Sequence, residues 1–272
     1  RRELAEFWNV DELPAQPGRD TTAILAAAAD GELDALLVGG IEPADLADPH
    51  SALAAIEAAG FVVSLELRES AVTALADVVF PIAPVVEKSG SFTNWEGRIR
   101  PFDAALPSNA AADLRVLQTL ADELGIDLGF RTAEQARQEI AGLGRWNGAR
   151  PPTPDVAPGA AVSLSAGEVV LAGWRMLLDD GRLQDGEPYL AGTARPAVAR
   201  MSAATAAGIG ASDGDLVAVS SGRGAVTLPV AVTAGMADRV VWLPLNSPGS
   251  AVHEQLAVTT GAVVQIEREV TP

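Results

Sequence analysis

Residues 76–102, "ADVVFPIAPVVEKSGSFTNWEGRIRPF", decide how the first half of this chain is read. The stretch opens as a short β-branched run of the kind a buried strand carries, and Pro81 and Pro84 then break it. Beyond the break, residues 87–102 read as neither helix nor strand. They hold Gly90 and Gly97, both charge signs, Asn94 and the aromatics Phe92, Trp95 and Phe102. A strand of a parallel sheet followed by a polar loop is where open α/β sheets place ligands. Asn94 can donate and accept, Glu96 can accept, and Lys88, Arg98 and Arg100 can hold anions. The plainer reading is a compact surface loop pinned by its three aromatics, with Glu96 paired to a cation.

Upstream, helical and strand signals alternate. "TTAILAAAAD" is helical, and "ELDALLVGG" is a buried strand stopped by Gly39 and Gly40. "HSALAAIEAAG" is a helix for which Gly60 offers a left-handed C-terminal cap. "FVVSLEL" is a second strand, "ESAVTALA" a short helix and "DVVFPIA" a third strand. "NAAADLRVLQTLADELG" is a helix with Leu114, Leu117, Leu120 and Leu124 near one face, and "TAEQARQEIAGLG" is another. Strands separated by helices imply a parallel sheet. Three strands are few for a doubly wound domain, so the expectation is part of a larger one, residues 1–149. Residues 150–161, "RPPTPDVAPGAA", have four prolines and read as an extended linker.

From residue 162 the character changes. "GEVVLAGW", "DLVAVSS", "AVTLPVAV", "DRVVWLPL" and "AVVQIE" are short β-type runs separated by glycine-rich turns. "SSGRGAV" reads as a tight hairpin with Gly222 and Gly224 free to take positive φ. Ser202 caps a small helix that Gly208 ends. Many short strands with one helix predict a closed barrel over residues 162–272.

The 272 residues carry 19 basic and 36 acidic side chains, a net charge of −17. Nucleic-acid binding needs a basic surface, so that class is excluded; strong acidity fits a cytoplasmic protein or an acidic face in an assembly. No apolar run approaches the ~20 residues that span a bilayer, so direct membrane insertion is not expected, and the charged start carries no signal-peptide pattern. There is no cysteine, which removes disulfides, thiolate nucleophiles and thiolate ligation of zinc or iron–sulfur clusters. His50 and His253 lie far apart in sequence and read as surface residues. "GASDG" at 210–214 matches the serine-hydrolase elbow, but a helix precedes it and a strand comes after, the reverse of the required order. Glycine spacing fits neither a dinucleotide fingerprint nor a phosphate loop. Asp179, Asp180, Asp213 and Asp215 sit beside glycines and read as solvated turns. No catalytic and no metal-binding residue is expected.

Two motifs carry a resemblance. Ala76–Pro81 followed by Glu87, Gly90, Asn94, Glu96, Gly97 and Arg98 resembles a pattern of the molybdopterin oxidoreductase superfamily. Residues 192–233 are similar to that superfamily's dinucleotide-binding domain, which is a double-psi type of β-barrel. Within the superfamily "RPFDAAL", "VVWLPLNSPG" and "TTGAVVQIE" look like the G-subunit family of bacterial NADH-quinone oxidoreductase, respiratory complex I. The resemblance implies an α/β chain: a partial Rossmann-like parallel-sheet domain, then a double-psi-type barrel. It implies a C-terminal scaffold region without molybdenum cofactor, at the cytoplasmic face of the plasma membrane. The partners implied are an iron–sulfur region upstream of Arg1 and other peripheral-arm subunits, in a complex passing electrons from NADH to quinone. In this reading the 87–102 loop clasps the barrel through Asn94, Glu96 and Arg98. The alternative is the cofactor-binding portion of a catalytic enzyme such as a formate dehydrogenase. The residues then implied to touch the pterin are Asn94, Glu96, Gly97, Arg98, Gly192, Thr193 and Arg195. "GGIEP" stands where the enzymes often carry Gly-x-Asn-Pro, and Glu42, Glu66 and Glu69 would repel an anionic pyrophosphate.

Overall fold

The computed structural model describes residues 1–150, 152–156, 159 and 162–269. Its elements fall into two compact units. The first comprises Arg1–Ile41 and Ala55–Val156, the second Glu42–Ala54 and Ala157–Pro272. The division differs from the linear one read from the sequence, because residues 42–54 group with the second unit. Of the expected 150–161 linker, residues 151, 157, 158, 160 and 161 lie outside the described residues, and Pro152–Val156 has no regular secondary structure.

In chain order the first part holds α1 (Arg2–Phe7), α2 (Thr21–Ala29), β1 (Leu36–Gly39), α3 (Pro49–Ala58), β2 (Val62–Glu66) and β3 (Val78–Pro81). A two-stranded hairpin, β4 (Gly90–Thr93) and β5 (Ile99–Phe102), precedes α4 (Asp113–Glu123) and α5 (Ala133–Gly142). β1, β2 and β3 form a parallel sheet in that order. Its core gathers Ala28, Leu36, Ile56, Val62 and Val72. Asp77 locks the sheet at one end: its Oδ2 accepts from the backbone N–H of Val62 at 2.7 Å, and its own N–H donates to the Val62 carbonyl at 2.9 Å. The aspartate of "ADVV" therefore sets the register between β2 and β3.

Three local expectations are corrected here. "ESAVTALA" makes one turn and stops. Ser70 and Thr73 bond each other's backbone N–H groups, and Ala74 N–H reaches the Ser70 carbonyl, but the coil does not propagate. Hydroxyl side chains that satisfy nearby backbone compete with helix. Gly60 does not take positive φ; a Cβ there would stand 3.0 Å from the Asp34 carbonyl oxygen, so glycine is present for close approach. Finally, the leucines of α4 do not form a buried stripe. Val116, Gln118 and Ala121 are buried, whereas Leu117, Leu120 and Leu124 are 40%, 37% and 68% exposed.

The second part holds β6 (Glu168–Trp174), α6 (Pro188–Ala191), β7 (Ala199–Met201), α7 (Ala203–Gly208), β8 (Leu216–Ser220), β9 (Ala225–Val232) and β10 (Val240–Pro244). It ends with the short pair β11 (Asn246–Ser247) and β12 (Ser250–Ala251), α8 (Val252–Leu256) and β13 (Val263–Arg268). Six strands close a barrel in the order β10-β6-β13-β8-β9-β7. The pairs β10/β6 and β7/β9 are parallel and the other four antiparallel. All five sequence runs are strands of this barrel; β7, only three residues long, is the sixth.

Closure comes from alternation. Every second residue of a strand faces inward, and those positions are Val169 and Leu171, Val217 and Val219, Val226, Leu228 and Val230, Val241 and Leu243, Val264 and Ile266, all in one buried cluster. Val252 and Leu256 of α8 complete that cluster. Ser202 caps α7 as expected, accepting from the Thr205 N–H at 3.1 Å, but Gly208 stays within the helix and Gly210 takes φ +69°. On the outer wall Trp242 is covered by Trp174, ring centroids 4.8 Å apart, and by the Arg200 guanidinium.

Candidate functional site

Residues 90–102 of this stretch form a β-hairpin, which corrects the reading of an irregular loop. Gly90 pairs with Phe102 and Phe92 with Arg100. The turn is built by Asn94, whose Oδ1 accepts from the backbone N–H of Glu96 at 3.1 Å and of Arg98 at 2.8 Å. Gly97 takes φ +76° within it, a conformation that L side chains rarely adopt. Phe92 stacks on Phe102 at 5.1 Å, and the Phe102 ring lies over Gly90, where a Cβ would stand 2.9 Å from it. Trp95, expected to pin the loop, is 94% exposed. Arg137 donates to the Gly90 carbonyl at 3.1 Å, and Lys88 pairs with Asp113.

Asn94, Glu96, Gly97 and Arg98 are thus brought together in one turn, and their bonds close on that turn. Glu96 pairs with Arg98 at 3.0 Å, both well exposed. The exposed pair contributes on the order of 0.2–1 kcal/mol, whereas Asn94 alone satisfies two backbone donors. Asn94→Ala is therefore expected to lower stability by about 1–2 kcal/mol, and Glu96→Ala by less than about 0.5. Thermal melts of the two variants decide this ordering, and equal losses would refute it.

Gly192, Thr193 and Arg195 lie just after α6 in the second unit. Thr193 donates its hydroxyl to the Leu190 carbonyl at 2.8 Å, and all three residues are exposed.

Sequence reasoning missed a different cluster, on residues 42–48. Glu42 Oε2 lies 2.7 Å from Arg182 Nε, Asp48 Oδ2 lies 2.8 Å from Arg223 Nη2, and Asp45 pairs with Arg175. All six belong to the second unit. Asp179, expected in a solvated turn, has an 11% exposed side chain and holds Arg175 Nε at 2.7 Å. The Arg175 pKa is raised: burial opposes the charge, but the Asp179 hydrogen bond and the Asp45 and Asp179 charges outweigh it. His253, expected at the surface, is half-buried in α8, with Nδ1 3.3 Å from the Ala44 carbonyl oxygen. Asp213 and Asp215 do lie in a turn, accepting from the N–H groups of Val232 and Ser212. The 42–48 cluster leaves one signal in the sequence, the spacing of acids against a proline, Glu42-Pro43-x-Asp45-x-x-Asp48.

One further concavity, about 780 Å³, lies beyond the C-terminal ends of β2 and β3, lined by Glu66, Arg68, Glu69, Ser70, Thr73 and Pro81 among others. Among the described residues, no group of three or more metal-ligating side chains is assembled, and no helix is long and apolar enough to cross a membrane.

Two family models match. Residues 3–123 match the one described as molybdopterin oxidoreductase, and residues 184–268 the one described as molydopterin dinucleotide binding domain. The G subunit of NADH-quinone oxidoreductase from Mycobacterium tuberculosis is 59% identical over 270 residues, 98% of this chain and 33% of that protein. The Streptomyces coelicolor G subunit is 53% identical over 272 residues, 98% of this chain and 32% of that protein. The chain thus spans about a third of these relatives' length. Among solved structures, acetylene hydratase from Pelobacter acetylenicus aligns with a TM-score of 0.56 over 91% of this chain and 46% of that one. At 14% sequence identity that likeness shows the fold alone.

Proposed function

Since the chain belongs to the molybdopterin oxidoreductase superfamily, on the side of the NADH-quinone oxidoreductase G subunits, we propose that it is the C-terminal scaffold region of such a protein. In this reading the first unit is the end of a Rossmann-like domain and the barrel is of the double-psi type. The chain performs no chemistry itself. It supports the iron–sulfur region of the same polypeptide and packs with other subunits of the peripheral arm, at the cytoplasmic face of the plasma membrane. The complex as a whole moves electrons from NADH to quinone.

The observation that carries the reading is the identity with the two actinobacterial G subunits along nearly the whole chain. Two further facts support the non-catalytic part. With no cysteine in 272 residues the chain itself offers no thiolate to an iron–sulfur cluster. The pterin dinucleotide that the superfamily implies is an anion, and the residues implied to touch it fit it poorly: Glu96 is of like charge and Arg98 is already paired with Glu96, which leaves Arg195 as the other cation of the set.

The test is purification of the full-length protein from its native host. Co-purification with the NADH-binding and iron–sulfur subunits, without stoichiometric molybdenum or tungsten, is the expected result. A full complement of either metal would favour the catalytic alternative, and loss of the partner subunits would remove the scaffold role.

A further inference from the structure

Residues 42–48 carry three carboxylates at three-residue spacing, and each meets a different arginine of the same unit: Arg182, Arg175 and Arg223. Two of these arginines are engaged a second time, Arg175 by Asp179 at 2.7 Å and Arg182 by Asp185 at 3.5 Å. Three guanidiniums therefore face five carboxylates, and the local excess is negative.

The segment is also seated by other bonds. Pro43 is buried at the start of a 3-10 turn, Pro43–Asp45, which the Glu42 carboxylate caps through the Ala44 N–H at 3.4 Å. The Ala44 carbonyl faces His253, and the Asp48 carboxylate accepts from the Ser51 N–H at 3.0 Å and from its hydroxyl at 2.7 Å. Those Ser51 bonds, with Arg223 adding to them, hold the Asp48 pKa below its ordinary value, so the carboxylate stays charged at neutral pH.

We infer that Glu42, Asp45 and Asp48 serve as a built-in anionic ligand, occupying Arg175, Arg182 and Arg223 and keeping these arginines closed to polyphosphate. The inference deepens the cofactor-free reading above and rests on it. Carboxylate and phosphate oxygens compete for the same guanidinium donors. A tethered carboxylate competes at an effective concentration on the order of millimolar. A dissolved pyrophosphate below that concentration loses, and it also approaches a site of its own sign. The segment thus does with three side chains what a bound anion would otherwise do: it neutralises the arginines and fixes its own place on the unit.

Replacing the three carboxylates by amides of the same shape leaves two acids against three guanidiniums and reverses the local sign. The experiment titrates inorganic pyrophosphate into the whole chain by calorimetry, comparing wild type with Glu42→Gln/Asp45→Asn/Asp48→Asn. Wild type is expected to show no saturable binding into the millimolar range. The triple variant is expected to bind at least tenfold more tightly, to weaken as salt rises, and to lose the gain when Arg175→Gln is added. Circular dichroism establishes that the variant is folded. If it is not, Asp45→Asn alone, at a pair that is partly exposed, is expected to give a smaller gain of the same sign. Wild-type binding equal to the variant's, or a folded variant that binds nothing, would overturn the inference. Neither outcome bears on subunit co-purification or metal content, so failure here is distinguishable from failure of the scaffold reading.

Discussion

Leu243→Ala is expected to remove about 2–5 kcal/mol of barrel stability, the range for truncating a fully buried leucine where the surroundings cannot collapse. Leu243 has no exposed surface and faces inward on β10 beside Val241, within the cluster that also holds Leu171, Met201 and Leu256. A closed barrel is a poor candidate for collapse, because each strand is held by ladder bonds on both sides. The void left by three carbons therefore persists, and its lining loses contacts that nothing replaces. The control is Leu183→Ala. Leu183 is 99% exposed, so its truncation should stay within about 0.5 kcal/mol. Chemical denaturation of the two variants separates them cleanly. A loss under about 1 kcal/mol at Leu243 would mean that the strand is not held as described, and the alternation argument for the whole barrel would fail with it.

That alternation is also why the barrel is legible from sequence. "VVLAGW", "LVAVSS" and "VTLPVAV" each set branched aliphatics two positions apart, Val169 and Leu171, Val217 and Val219, then Val226, Leu228 and Val230, and a period of two has one interpretation when glycine turns bound it. The parallel sheet is legible for a related reason, since short apolar runs separated by helices leave few alternatives. Other features are not. Leu117, Leu120 and Leu124 fix a helix, but spacing says nothing about what covers a face, and that face is open in this chain. The hairpin at 90–102 is hidden because Asn94 and Gly97 pass for loop composition, when each does one specific thing in a turn. The acid at 42, taken singly, reads as repulsive to an anionic ligand, and those at 45 and 48 draw no attention at all. Their arginine partners lie about 130 to 175 residues away in sequence, a separation across which no local pattern reports.

Glycine supplies the sharpest contrast between composition and geometry, and it carries the second large prediction. Gly222 and Gly224 sit in one turn, and composition offers no reason to rank them; positive φ is expected equally of both. Neither takes it. A Cβ at Gly222 would meet nothing within 4 Å, whereas one at Gly224 would collide with the carbonyl oxygen of Gln255, a backbone atom that cannot swing aside. Gln255 lies in the last turn of α8, and the neighbouring Leu256 carbonyl accepts from the Ser221 hydroxyl at 2.7 Å, so the helix end is tied to this same turn. Gly224→Ala must then either bend the β8–β9 turn or push α8 outward. The second route drags Val252 and Leu256, both fully buried, out of the barrel cluster. Overpacking of this kind costs about 1–3 kcal/mol. Gly222→Ala, by contrast, should be neutral or stabilising by up to about 1 kcal/mol, because it restricts the unfolded chain without straining the folded one. Melting temperatures moving in opposite directions for two glycines two positions apart are the expected result. If Gly224→Ala melts with or above wild type, the close approach of α8 to the hairpin is not a feature of the folded protein.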